Sequence, residues 1–289
     1  MQKRELIFKG NEKQVFATDN PDQVIFRYTD VTVAYNNIKR ARFVGKGVLD
    51  NQISAILLGY LNQHGIETHF IEVVGPDEQL CRKIEIIPLQ VVIRNRLTAS
   101  EAARLGVEDG FKPGNTVVEM RYNNSELGDP LINKSHAVAL GLMTYEELEH
   151  VTEVALEANK ILGEYLHRAG IELVDMRLEF GRASDNGHII ISDEISPDTC
   201  RLWDEATGEK LDKDRFRMDL SDVVASYKIV LDRLNQLQYW AYLQFTASGT
   251  PPPSSITGCI ISSTVARKGP VSLPLTRKGN RTPIADRAF

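Results

Sequence analysis

The stretch that most constrains this chain is Ile189-Ile190-Ile191-Ser192-Asp193-Glu194-Ile195-Ser196-Pro197-Asp198-Thr199-Cys200-Arg201-Leu202-Trp203-Asp204. It starts as an apolar, β-branched run and ends in a turn region carrying four acids, an Arg and a Trp. A buried strand that delivers dense charge to its carboxyl end is a way of presenting chemistry from a rigid scaffold. Just upstream, residues 171–181 read as its hairpin partner, joined through the polar turn Ala183-Ser184-Asp185-Asn186-Gly187. Alternation with period two places Val174, Met176, Leu178 and Phe180 on one face and Asp175, Arg177 and Glu179 on the other. A single strand with this pattern is commonly just solvated on its charged side. Two adjacent strands, with Glu179 and Asp193 able to converge on one cation, favour a metal-nucleotide site.

With 289 residues the chain can bury a sizeable core, arranged as two lobes. A net charge of −5 gives no general attraction to nucleic acid or anionic membrane, and no apolar run approaches the ~20 residues of a membrane span. The amino terminus lacks the apolar core of a signal peptide. Cys81, Cys200 and Cys259 are far apart and have no metal-type spacing. These features predict a reduced, cytoplasmic protein that binds neither nucleic acid nor membrane.

Short antiparallel strands are predicted at 5–9, 14–17 and 23–28, with turns at Gly10-Asn11-Glu12 and Asp19-Asn20-Pro21-Asp22. The first turn, flanked by Lys9 and Lys13, reads either as a solvated hairpin tip or as a cover for phosphates. Lys39-Arg40-Ala41-Arg42 and Gly45-Lys46-Gly47 lead into a helix whose Leu49, Ile53, Ile56, Leu57, Tyr60 and Leu61 recur at helical spacing before Gly65. That basic segment is either a solvated loop or an anion site at a helix amino terminus. Strands follow at 68–74, 80–86 and 89–94, the last two interrupted by Pro88. Arg94-Asn95-Arg96 then precedes a short helix, 100–105, ended by Gly106. The arginines with Ser100 read as a phosphate clamp, or as surface arginines with Ser100 as an N-cap.

Thr144 with Glu147 forms a capping-box signature, and Leu148, Val151, Ala155, Ala158, Leu162 and Tyr165 give a core-facing helix ending at Gly170. A last helix begins at Ser221 and buries Val223, Val224, Tyr227, Val230, Leu231 and Leu234. From Leu237 the character changes. Thr250-Pro251-Pro252-Pro253-Ser254-Ser255 and the basic Arg277-Lys278-Gly279-Asn280-Arg281-Thr282-Pro283 predict a poorly ordered appendage over 237–289.

With these segments in place, the sequence resembles the SAICAR synthetase family from Met1 to about Gln236. The matching motifs are Met1-Gln2-Lys3-Arg4-Glu5-Leu6, Gly45-Lys46-Gly47, Lys83-Ile84-Glu85-Ile86-Ile87-Pro88-Leu89 and Val92-Ile93-Arg94-Asn95-Arg96. Further matches are Leu127-Gly128-Asp129-Pro130, Leu178-Glu179-Phe180-Gly181, the 192–204 signature and Asp212-Lys213-Asp214-Arg215-Phe216-Arg217. The resemblance implies an α+β, two-lobed SAICAR-synthase-like fold, distantly kinase-like. An antiparallel-sheet nucleotide-binding lobe would occupy 1–90 and an α/β lobe 91–236, with ATP in the cleft between them. The implied reaction joins carboxyaminoimidazole ribonucleotide (CAIR) to L-aspartate, with ATP and Mg²⁺, and the family leads us to expect a homodimer.

The same resemblance assigns Glu179 and Asp193 to the magnesium-nucleotide site and Gly10, Lys13 and Lys46 to the nucleotide. It assigns Arg94, Ser100 and Arg201 to the ribonucleotide's phosphate end. Asp175, Arg177 and Asp198 are the implied catalytic and orienting residues. The chain departs from the family's pattern at four places. Gly10-Asn11-Glu12-Lys13 stands for Gly-Lys-x-Lys, Arg177 for a Lys, Asn123 where Lys is common and Asn37 where Gly is usual. The cationic groups lost at Asn11 and Asn123, and the foreign tail, motivate one alternative, a catalytically impaired nucleotide-binding relative. A small-molecule kinase using the same magnesium carboxylates is another, which the 192–204 signature disfavours.

Overall fold

The computed structural model describes residues 2–35 and 38–247, with side chains through residue 243. Asn37, the proline run, the basic stretch and Cys259 lie outside the described residues. The chain opens with β1 (Lys3–Lys9), β2 (Lys13–Thr18), β3 (Gln23–Tyr28), β4 (Val31–Ala34) and β5 (Lys39–Arg42), then α1 (Lys46–Gln63). Next come β6 (Phe70–Gly75), β7 (Glu78–Arg82), β8 (Ile84–Arg94), α2 (Ala99–Leu105), β9 (Val117–Tyr122) and β10 (Leu131–Ile132). The remainder is α3 (Lys134–Ala139), α4 (Tyr145–Arg168), β11 (Ile171–Ala183), β12 (Ile189–Ser192), β13 (Cys200–Asp204), α5 (Asp214–Arg217) and α6 (Val223–Ala247).

Two larger sheets result. The first is antiparallel, in the order β1-β2-β3-β7-β6. The second runs β10-β9-β8-β11-β12, with β13 pairing the other half of the same edge of β11, and the small hairpin β4–β5 stands apart. Lys83 separates β7 from β8, so the division between sheets falls there and β8 belongs wholly to the second sheet. The two sheets are stitched by backbone. His69 N donates to Ile191 O at 2.9 Å and Ile191 N donates to Glu67 O at 3.2 Å, a short parallel bridge between the segment before β6 and β12.

The core forms where these layers meet. α1 is buried on nearly every side because it lies between the first sheet and helices α4 and α6. On the second sheet, Leu89, Val91 and Ile93 of β8 and Met176, Leu178 and Phe180 of β11 face the stripe of α4 led by Leu148, Val151 and Leu162. Thr144 and Glu147 close the predicted capping box on α4. The opposite face of the same strands carries the cross-strand pairs Asp175–Arg94, Arg177–Val92 and Glu179–Gln90.

Several predicted boundaries shift, each for a local reason. Pro88 does not interrupt β8. It sits in a bulge between the Glu179–Gln90 and Phe180–Ile87 pairs, where its missing N–H breaks no ladder, and its carbonyl accepts from Asn123 N at 3.0 Å. A second bulge, at Val174, puts Leu173 in the main core cluster in its place and brings Arg201 opposite Asp175. Lys39–Arg42 is not a loop but a strand. Thr98, not Ser100, stands at the N-cap of α2. Helix α6 continues past Leu237, whose side chain packs on the core cluster, to Ala247.

Gly45-Lys46-Gly47 is explained by packing. Gly45 adopts φ +88°, which an L side chain resists, and a Cβ on Gly47 would meet Tyr28 O at 2.9 Å and the Tyr28 and Thr29 carbonyl carbons at 3.0 Å. The first turn of α1 therefore lies directly on the end of β3. Gly47→Ala should lower stability by about 1–3 kcal/mol, as overpacking against immobile backbone does; urea unfolding that leaves the midpoint unchanged would contradict this close approach.

Candidate active site

The charged turn predicted from the sequence is the 193–199 loop between β12 and β13, and it is buried. A buried loop must satisfy its own backbone. Ser196 Oγ donates to Glu194 Oε2 at 2.7 Å and accepts from Asp198 N at 3.0 Å; Thr199 Oγ1 donates to Glu194 O at 3.1 Å and accepts from Ser196 N. Ile195 N donates to Ser54 Oγ of α1 at 3.2 Å. Hydroxyl side chains thus replace the ladder that β12 abandons at Ser192. The residue at the break, Asp193, has φ +63°, a left-handed conformation unusual for a non-glycine residue.

Above this loop sits the β1–β2 hairpin. Lys13 forms an ion pair with Asp193 and a second with Glu194 at 3.0 Å. At the hairpin tip, Glu12 accepts from Lys213 Nζ at 2.5 Å, from Thr32 Oγ1 at 3.2 Å and from Val33 N at 3.1 Å, which ties the tip to both halves of the molecule. Gly10 closes the turn through its N–H to Lys13 O at 2.9 Å. Glu179 faces this group from β11, with Gln90 Nε2 donating to it at 3.3 Å. Burial, and then the charge of Asp193, push the Glu179 carboxyl up to about 7. Burial would raise Asp193 as well, but the Lys13 ammonium holds it below the ordinary carboxylate range. Arg177 adds positive potential here. Its guanidinium is buried close to Glu179 and Asp193, and its Nε has no hydrogen-bond partner.

Lys46 turns inward rather than toward an anion site at the start of α1. Its Nζ is buried between Asp50 Oδ2 and Asp198 Oδ2, each at 2.6 Å. Asp198 also accepts from Tyr227 Oη at 2.5 Å and lies 3.7 Å from Lys213 Nζ. Burial opposes ionisation of Asp198, yet Lys213 and Lys46 hold its carboxyl well below the usual value. Asp50, Glu194 and Asp198 could together ligate a metal by position, but the Lys46 ammonium bridges two of the three. Six carboxylates (Glu12, Asp50, Glu179, Asp193, Glu194 and Asp198) thus surround four cations (Lys13, Lys46, Arg177 and Lys213). The site carries excess negative charge on the Glu179–Asp193 side.

The third group lies along the same sheet face. Asp175 Oδ2 accepts from Arg94 Nη1 at 3.0 Å and from Arg201 Nη1 at 2.6 Å. Arg94 also pairs with Glu119 at 2.8 Å and Glu101 at 3.3 Å, and Arg201 with Asp214 at 2.8 Å. Arg104, Arg121 and Arg217 complete the network. Burial works against the charge of Arg201, but Asp175 and Asp214 raise its pKa. Ser100 is exposed on α2, with its Oγ 3.4 Å from Glu101.

Of the residues singled out by sequence, Lys13, Glu179, Asp193 and Arg177 converge, as do Arg94, Asp175 and Arg201; Lys46 and Asp198 pair with each other below the surface. Sequence reasoning missed Asp50, Glu194, Lys213 and Tyr227. The i,i+4 spacing of Lys46 and Asp50 was a usable signal, whereas nothing local links Tyr227 to Asp198.

Comparison with known proteins places this geometry. Residues 6–234 match the SAICAR synthetase family. The chain is 46% identical over 234 residues to the phosphoribosylaminoimidazole-succinocarboxamide synthase of Clostridium acetobutylicum, covering 81% of this chain and 99% of that protein. Among solved structures it is similar to the synthase of the same name from Ehrlichia chaffeensis, 42% identical with a TM-score of 0.78 over 80% of this chain and 98% of that one. It is equally similar to a SAICAR synthetase in complex with ADP, 42% identical with a TM-score of 0.76, covering 80% of this chain and 97% of that chain. A match over most of the chain, in both sequence and fold, establishes that this protein belongs to the SAICAR synthetase family.

Proposed function

We propose that this chain is an ATP-dependent ligase of purine biosynthesis, joining the carboxylate of CAIR to the amine of L-aspartate to give SAICAR, ADP and phosphate. The observation that carries the reading is the half-buried Glu179–Asp193 pair under Lys13 of the β1–β2 hairpin. Two carboxylates that cannot both stay charged without a further cation, next to a cationic hairpin, fit a divalent metal with a polyphosphate. Glu179 and Asp193 would hold Mg²⁺, which supplies charge neutralisation at the phosphate oxygens.

A carboxylate resists attack because its charge repels nucleophiles and oxide is a poor leaving group. Phosphorylation solves both problems. A CAIR carboxylate oxygen bonds to the γ-phosphorus as the β–γ bridge breaks and ADP departs. The aspartate amine then attacks the acyl carbon, phosphate leaves with the C–O bonding pair, and the amine gives up a proton. Lys13 and Arg177 supply positive potential to the transferring group. Arg94 and Arg201, held in fixed orientation by Asp175, bind the ribonucleotide's phosphate end, with the Ser100 hydroxyl beside them. Lys46 and Asp198, paired with each other below the surface, orient the loop.

With Mg-ATP, CAIR and L-aspartate, ADP release should require all three, and Asp193→Asn should abolish turnover while leaving the circular dichroism spectrum unchanged. Release without aspartate would indicate a kinase instead. Lys46→Met should cost about 3–5 kcal/mol in urea unfolding, because it strands two buried acids. Lys13→Met, which leaves the partly exposed Asp193 and the buried Glu194 without their cation, should cost less, about 1–3 kcal/mol, and should in addition raise the KM for ATP; equal stability losses would refute the division between them.

The pH dependence follows from Glu179. An unfolded glutamate titrates near 4.3, whereas the folded group titrates at about 7. Between those values the folded chain keeps a proton that the unfolded chain has released, so this group's contribution to stability falls as pH rises through that window and is flat above it. In chelator, Glu179→Gln should remove that slope, gaining on the parent from about pH 5 to pH 8. Parallel urea-midpoint profiles for the two proteins would show that Glu179 is an ordinary carboxylate.

A further inference from the structure

The left-handed backbone at Asp193 costs some strain in a residue with a Cβ, and contacts from outside the loop hold both its carboxylate and its carbonyl. Lys13 grips the carboxylate. The carbonyl is gripped from elsewhere. His69, fully buried where the first sheet bridges to β12, donates Nε2–H to Asp193 O at 2.8 Å. Its backbone is fixed on both sides, with N to Ile191 O at 2.9 Å and O from Arg82 N at 2.7 Å. The imidazole lies edge-on to Phe26, with centroids 5.1 Å apart and planes at 74°, and Cys81 Sγ is 3.9 Å away. Around the ring these contacts are an aromatic edge and a thiol, neither a strong hydrogen-bond partner. The ring leaves Nδ1 buried and unpaired, and its one strong hydrogen bond goes to the residue whose carboxylate confronts Glu179.

We propose that His69 is a positioning residue for the metal-nucleotide site: its Nε2–H, clamped to the Asp193 carbonyl, keeps Asp193 in the left-handed conformation that aims its carboxylate at Glu179 and Lys13. The inference rests on reading Glu179 and Asp193 as the magnesium pair. It gives the inter-sheet bridge a chemical consequence, because any movement of the 67–69 segment relative to β12 moves the ring and with it a metal ligand. Groups that orient a ligand without touching the metal typically change metal affinity by about 10–100-fold when removed.

The test is Mn²⁺ binding to the full-length, nucleotide-free protein by electron paramagnetic resonance, with urea unfolding of each variant alongside. His69→Phe keeps a ring against Phe26 and deletes the donor; it should raise the Mn²⁺ Kd by about 10–100-fold, and His69→Gln, whose amide N–H can donate, should recover most of that loss. If His69→Phe does not fold, His69→Met, flexible and without a donor, takes its place. Parent-like Mn²⁺ affinity in His69→Phe, or a loss in His69→Gln as large as in the Phe variant, overturns the inference provided Asp193→Asn binds Mn²⁺ weakly. Undiminished binding by Asp193→Asn overturns the reading of the metal pair itself.

Discussion

One buried ammonium organises the interior of this protein. Lys46 Nζ lies between Asp50 of its own helix and Asp198 of the 193–199 loop, so α1 and the loop meet across a charge that water does not reach. Asp198 then receives Tyr227 Oη from α6 and lies beside Lys213, which itself reaches Glu12 at the hairpin tip. A single chain of charge-assisted contacts therefore runs from α6 through the loop to the cover of the site. Such a network is expensive to desolvate and gives little net stability over an apolar core of the same shape. What it provides is geometry, because each member loses more by moving than a pair of leucines would.

The second constraint is the sheet formed by β8 and β11. Period-two alternation sends one set of side chains into the helical layer and the other into the site, so a one-residue slip would exchange core for chemistry. Bulges at Pro88 and Val174 adjust this pairing where it matters. The Val174 bulge brings Arg201 opposite Asp175, and the bulge at Pro88 lies beside the Glu179–Gln90 pair. The irregularities thus flank the residues of the candidate site, and the regular stretch between them keeps Asp175, Arg177 and Glu179 on one face.

Much of this was legible in the sequence because the signals were local. Alternation in β11, the capping box of α4 and the apolar stripe of α6 each depend on neighbours within a few residues, and each recurs in the structure. Lys46 was harder. A lysine beside two glycines before a helix has the local look of an anion site, and only the arrival of Asp198, 152 residues away in sequence, turns it inward. Arg94 and Arg201 were joined only through the family resemblance, since the residues themselves offered Arg94 with Arg96; the carboxylates of Glu101, Glu119 and Asp214 that fix them went unseen because they lie on elements brought together only by the tertiary fold. The bulges were invisible for a related reason: they satisfy pairing between strands rather than any preference of Val174 or Pro88.

The departures from the family pattern can be weighed with the same geometry. Asn123 donates its backbone N–H to Pro88 O and Asn11 accepts from Thr29 Oγ1 through its carbonyl, so both positions keep backbone contacts that do not depend on the side chain. What they lack is charge. Arg177 retains it, in a planar and weakly hydrated form that tolerates burial better than an ammonium, and it lies in the field of Glu179 and Asp193. Its unpaired Nε is a buried donor without an acceptor, the reverse of the unpaired acceptor on His69. A phosphate oxygen or a substrate carboxylate would satisfy that donor, whereas the neighbouring protein groups do not. The cation removed at the hairpin is therefore not replaced on β11, where the family pattern already carries a positive charge; Arg177 keeps that charge, deeper in the site and oriented by the sheet.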